Sequence, residues 1–180
     1  MRKSFLGFIF LVVLLIGSAT AGFAHHRGTV LGENVSPSDI NFPPVTGGPG
    51  LVLPDSPLFF LDQMKQALRL SFPLTPETKA RVHLEIASER LAELRIMTKR
   101  GNTDGITSSL SELGREVSGA SDSIAEAVAR GKNVQRVAKD LNDALKVHRD
   151  TLAAVEGQAG GDLRAQVRAT RLTVVLAKTQ

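Results

Sequence analysis

The chain contains no cysteine, no tryptophan and no tyrosine. Without cysteine there is no disulfide framework, no thiol nucleophile and no thiolate metal ligand. Packing alone must then hold an exported chain together. The aromatic side chains other than histidine are eight phenylalanines, and none lies beyond Phe72. The helical region after that point must build its core from Leu, Val, Ile and Ala. A large excess of one charge is also missing. The formal charge is +4, and setting aside Arg2 and Lys3 leaves 20 basic and 18 acidic side chains, a net +2. Basic and acidic residues are interspersed. Nucleic-acid binding rests on a concentrated basic surface that neutralises phosphates, so this balance argues against it. No HExxH, Gly-rich phosphate loop or GxSxG occurs. No catalytic residue, cofactor site or metal site can be assigned on motif grounds.

What is present begins at the N-terminus. Arg2 and Lys3 precede an apolar run, FLGFIFLVVLLIG, from Phe5 to Gly17. Ala19-Thr20-Ala21 then supplies the small-x-small pattern that signal peptidase reads, and Gly22-Phe23-Ala24 supplies a second. Residues 1–24 are therefore read as a signal peptide. The run is short of the about 20 residues that a membrane helix needs. The alternative is an uncleaved anchor, which would be the chain's one contact with a membrane. Both readings export the chain to the cell envelope or beyond. No Cys follows the small residues, which excludes a lipoprotein anchor there.

Residues 25–52 read as a flexible Pro/Gly-rich linker. The tract Asn41 to Gly50 pairs prolines with glycines and lacks a sustained apolar period, so ordering it costs backbone entropy with little to bury in return. Asn34-Val35-Ser36 meets the glycosylation pattern by chance in a bacterial-type protein.

Residues 53–178 carry helical periodicity. The first helix is predicted near Pro57, with Ser56 as N-cap and Leu58, Leu61, Lys65, Leu68 and Phe72 in steps of three and four; Pro73 ends it. The second starts at Thr75-Pro76-Glu77, follows Ala80, Leu84, Ala87, Leu91 and Leu94, and stops at Gly101. The third begins between Asn102 and Gly105 and runs to about Arg130. Gly114 and Gly119 weaken it by about 0.5–1 kcal/mol each, and either permit a close helix approach or bend it. The fourth spans about Lys132 to Glu156 on the seam Val134, Val137, Leu141, Leu145, His148, Leu152 and Val155. The last is capped by Asp162 and carries Leu163, Val167, Thr170 and Val174. Short loops make neighbours antiparallel. The expected fold is all-α: an up-and-down antiparallel bundle of four to five helices. The same spacing would also serve a long coiled-coil hairpin.

The stretch Leu53-Pro54-Asp55-Ser56-Pro57-Leu58-Phe59-Phe60-Leu61 and the helix from Lys79 to Leu94, with Glu89-Arg90-Leu91-Ala92-Glu93 inside it, carry a resemblance. They are similar to the opening of the bacterial domain-of-unknown-function family numbered 5667, over roughly residues 53–101. The resemblance implies an extracytoplasmic helical domain. It supplies no catalytic residues.

Candidate sites are few. His25 and His26 sit near the expected mature N-terminus and read as exposed tail residues. Glu85, Glu89 and Glu93 form a stripe at steps of four on the second helix, and His83 lies nearby. A di-metal bundle needs Glu-x-x-His pairs on two helices, and none exists here. The stripe therefore reads as solvated surface. His148 lies on the apolar seam of the fourth helix, where a neutral, partly buried ring is the usual state. A weak metal site would require His83, His148 and Glu89 to meet across the bundle. Phe59, Phe60 and Met64 widen the apolar surface of the first helix beyond what one neighbour buries. They form the candidate interaction surface, unless the last helix covers them. The expected function is a non-catalytic protein–protein interaction module, through a cell-envelope partner or self-association. The alternatives are a weak metal-binding protein or an enzyme that motifs do not reveal.

Overall fold

The structure, a computed structural model, describes residues 42–45, 47–72 and 74–177. The expected signal peptide, His25, His26 and the Asn34 pattern lie outside the described residues, as does Pro73. Among the described residues five helices follow one another: α1 (Phe59–Ser71), α2 (Pro76–Arg100), α3 (Thr103–Ala129), α4 (Gln135–Gln158) and α5 (Gly161–Ala177). The described residues form no strand. The protein is an all-α, up-and-down helical bundle.

Local chemistry sets the boundaries. Thr75 Oγ1 accepts from the Thr78 amide, Pro76 occupies the first turn, and Gly101 ends α2 in the left-handed region with φ 66°. Asn102 Oδ1 then accepts from the Gly105 amide at 2.9 Å and opens α3. Gly131, with φ 69°, turns the chain after α3. α4 starts later than the spacing predicts: residues 132–134 are irregular, and Asn133 Oδ1 accepts from the Gln135 amide at 3.0 Å. α1 likewise starts later than Pro57. Ser56 still organises the entry, its Oγ accepting from the Leu58 amide and its carbonyl from the Phe59 amide.

α2 and α3 pack along each other most extensively. α4 packs on α2, and α5 fills the space between α3 and α4. Consecutive α3 and α4 barely touch, so their connection crosses the end of the bundle. The core is aliphatic: Leu91, Leu94, Leu113, Val117, Leu152 and Val167 are fully withdrawn from water. Burying such side chains stabilises by about 1.5–3 kcal/mol each.

Most of the expected linker, residues 25–52, lies outside the described residues. Its described part, 42–45 and 47–52, lies against α2. Phe42 is buried beneath the Arg95 guanidinium, 5.2 Å from its ring centre. Leu53 joins the core. Gly47 passes close to Ser88, and the Gly50 amide donates to Glu93 Oε1 at 3.1 Å. The tract has little apolar material, but α2 offers it an arginine face and an unfilled carboxylate acceptor.

Candidate functional site

α2 is buried on more than one face. Beside its anticipated apolar line runs a second, Ile86, Arg90, Glu93 and Met97, in steps of four, three and four, and all four residues are buried. Two charged side chains are thereby forced into the interior. Arg90 is completely inaccessible to solvent. Its Nη1 donates to Glu93 Oε2 at 2.5 Å, one turn along the same helix. Its Nη2 donates to Asp62 Oδ2 of α1, also at 2.5 Å. Its Nε lies 3.3 Å from Glu112 Oε2 of α3. The Phe59 ring closes the site, with the guanidinium carbon 4.9 Å from its centre.

Amides and Lys65 bond several of the other oxygens, while Glu112 Oε2 and Arg90 Nε have no hydrogen-bond partner among the described residues. Gln66 Nε2 donates to Asp62 at 2.9 Å and to Glu89 at 3.2 Å. Gln63 Nε2 donates to Glu112 at 2.5 Å. Gly50 contributes its backbone, and a Cβ there would lie 2.8 Å from Glu93 Oε1 and 3.0 Å from Asp62 Oδ2. The centre thus joins the N-terminal segment, α1, α2 and α3. Burial pushes the Glu93 carboxyl up to about 7, against the opposing pull of Arg90 and the Gly50 amide. Glu89 is also raised, chiefly by burial. Burial disfavours the Arg90 charge, but the surrounding Glu93, Asp62 and Glu112 outweigh it and hold the guanidinium even more firmly protonated.

A second polar contact bridges α2 and α3. His83 Nδ1 and Glu116 Oε2 are 2.7 Å apart, and the imidazole lies directly over Gly119. Burial raises the Glu116 carboxyl, but hydrogen bonds from His83 and Arg115 overcome this and lower it. His148 is buried on α4, and its Nδ1 finds no hydrogen-bond partner among the described residues. Burial depresses its pKa to about 4. The trio His83, His148 and Glu89 is not assembled as a ligand set: His83 is engaged by Glu116 and Glu89 by Gln66. Among the described residues no group of three or more His, Asp or Glu side chains is arranged to hold a metal ion. The carboxylate stripe divides by depth, with Glu85 exposed, Glu89 intermediate and Glu93 fully buried. A shallow groove of about 350 Å³ lies between α4 and α5, beside Glu156, Arg164, Arg168 and Arg171. Arg168 and Arg171 spend their charge on Glu156, at 3.0 and 2.8 Å.

The ionic centre determines how α1 sits. Its inward side carries Phe59, Asp62 and Gln66, and its outward side carries Phe60, Leu61, Met64 and Leu68. The helix is amphipathic with the polar side turned in. Phe60 and Met64 are 56% and 61% exposed, so both remain in the candidate interaction surface; Phe59, at 8%, belongs to the interior. Among the described helices, α5 packs on α3 and α4 and not on α1.

The fold and these clusters define an all-α bundle domain with a buried ionic centre. The family model described as "Domain of unknown function (DUF5667)" matches residues 51–160, well over half of the chain, and the chain belongs to that family. The match reaches through α3 and α4, further than the resemblance around residues 53–101, and ends just before α5. No curated protein and no solved structure matches the chain. No described helix is long and apolar enough to cross a membrane.

Proposed function

We propose that this domain is an extracytoplasmic, non-catalytic module that works by protein–protein contact through the outward face of α1. One observation carries the reading: a helix tied down by Asp62, Gln63 and Gln66 keeps Phe60, Leu61, Met64 and Leu68 in water. Exposed apolar surface is unfavourable by about 25 cal/mol per Å², and methionine with aromatics suits an adaptable contact face. The buried Arg90 is closed to any substrate, which supports an architectural role for it. Export is supported by Arg2, Lys3, the apolar run Phe5 to Gly17 and Ala19-Thr20-Ala21. N-terminal sequencing of the envelope fraction tests it; a cytoplasmic chain retaining Met1 would refute it.

The contact role is tested by comparing the wild-type chain with Met64→Glu and Leu68→Glu in the native cell envelope. Wild type should hold a protein partner that both variants lose, while all three keep the same circular dichroism spectrum. Equal recovery in all three would overturn the reading.

A further inference from the structure

We infer that the protein seated on α1 is a second copy of this chain, packed α1 against α1 about a twofold axis. This rests on the contact role proposed above and names its partner. Phe60, Met64 and Leu68 fall every fourth residue, and Phe72 continues the row at the C-cap. All four are 42–61% exposed. Such a row is an i±4 ridge, and the commonest helix packing interdigitates two ridges of this one kind. A twofold axis supplies the matching ridge without any other sequence.

The area fits. With Leu58 and Leu61 the face exposes on the order of 500 Å², in the upper part of the about 300–600 Å² range of a monomer's largest patch, which is often functional. Two copies withdraw about 1,000 Å², and a polar rim brings the contact to the about 1,200 Å² at which specific interfaces begin. The charges fit as well. No residue of the Phe60, Met64, Leu68 and Phe72 ridge is ionisable, and the one cation on the adjoining Leu61–Leu68 line, Lys65, already faces Asp62. The neighbouring cations are already engaged, Lys65 by Asp62 at 3.3 Å and Arg69 by Glu85 at 2.6 Å. They leave no free cationic flank to draw α1 onto anionic headgroups, which interfacial helices use. Among the helices, the α1 backbone approaches only α2, so its outer side is open to a second bundle.

The test uses the full chain in sedimentation equilibrium, with Met64→Glu and Leu68→Glu as interface variants checked by circular dichroism for an unchanged fold. Wild type should be dimeric and both variants monomeric. The chain has no cysteine, so Met64→Cys introduces one thiol, near the middle of α1 and close to the axis. Mild oxidation should convert it to a covalent dimer, and Lys139→Cys, exposed on α4, should remain single. A wild type monomeric at all concentrations, or a dimer that survives both glutamates, overturns the proposal. A monomer whose α1 variants lose a different envelope protein overturns the second copy and leaves the contact role standing. A monomer that floats with phosphatidylglycerol vesicles through α1, or one with no α1-dependent partner, overturns both.

Discussion

Arg90 and Asp62 meet at 2.5 Å with both side chains fully out of water, and this pair fixes α1 to α2. Buried pairs are costly to break, because the partner left behind keeps its charge without compensation. Arg90→Met should therefore destabilise the domain by about 3–5 kcal/mol, measured by urea unfolding. Adding Asp62→Leu and Glu93→Leu to it should recover part of the loss, since two of the three carboxylates round Arg90 go with it.

Gly50 should tolerate no side chain. A Cβ would press on the oxygens of Glu93 and Asp62, which Arg90 holds in place. Gly50→Ala should cost about 1–3 kcal/mol, as overpacking does. It should also speed amide exchange from residue 47 to Leu53. Unchanged exchange would show that the segment is held by Phe42 and Leu53 alone.

Two buried groups pull stability in opposite directions with pH. The Glu93 carboxyl, raised to about 7, favours the fold below its ordinary value of 4.5, and that contribution is lost as pH rises through 7. Glu89 adds in the same sense. His148, depressed to about 4, contributes stability present above 6.5 and lost as pH falls toward 4. Between about pH 4.5 and 6.5 the two slopes oppose. Glu93→Gln should unmask a stability that rises with pH in this window, and His148→Leu one that falls. Melts at half-unit pH steps would show both. At neutral pH His148→Leu should be neutral or stabilising, because Nδ1 has no described partner to lose.

The two glycines inside α3 should separate. A Cβ at Gly119 would lie 2.6–2.9 Å from the His83 ring, and a Cβ at Gly114 would meet only the Thr170 methyl at 3.9 Å. Gly119→Ala should cost about 1–3 kcal/mol and displace His83 from Glu116. Gly114→Ala should stabilise by about 0.5–1 kcal/mol, the helix propensity gained. Thermal melts, with the His83 ring followed by NMR, distinguish the two.

Truncation should report which apolar line faces inward. Leu145→Ala should cost about 2–5 kcal/mol, because the side chain is enclosed in the core. Leu68→Ala should stay within about 0.5 kcal/mol in the monomer. Denaturant melts at low protein concentration provide the comparison.

The seams of α2 to α5 were legible because apolar residues at steps of three and four share a face, and those faces meet in the core. Close approach at Gly119 was one of two readings of the weak middle of α3, and the His83 ring supplies its reason. Periodicity says which residues share a face, and leaves open which way the face turns. That is why the line through Leu61 and Leu68 resembled a buried side of α1 while Asp62 and Gln66 took its place. The ionic centre was hidden for a related reason. Glu89 and Glu93 read as part of a solvated stripe, and only the second line Ile86, Arg90, Glu93, Met97 marks Arg90 and Glu93 as interior. Their partners, Asp62 and Glu112, stand 28 and 22 positions from Arg90 in sequence, beyond the reach of any local pattern.

The polar attachment of α1 also sets how the molecule responds to temperature. Unfolding raises the heat capacity because it hydrates apolar surface. The apolar side of α1 in the monomer is already hydrated, and its inward side holds a guanidinium, carboxylates and amides. Lifting α1 away would change the heat capacity little. Melting α2 to α5 carries the usual increment of about 12–15 cal/mol/K per residue. The stability of the bundle therefore bends with temperature, reaching a maximum and declining on either side, while the hold on α1 follows a nearly straight line through the same range.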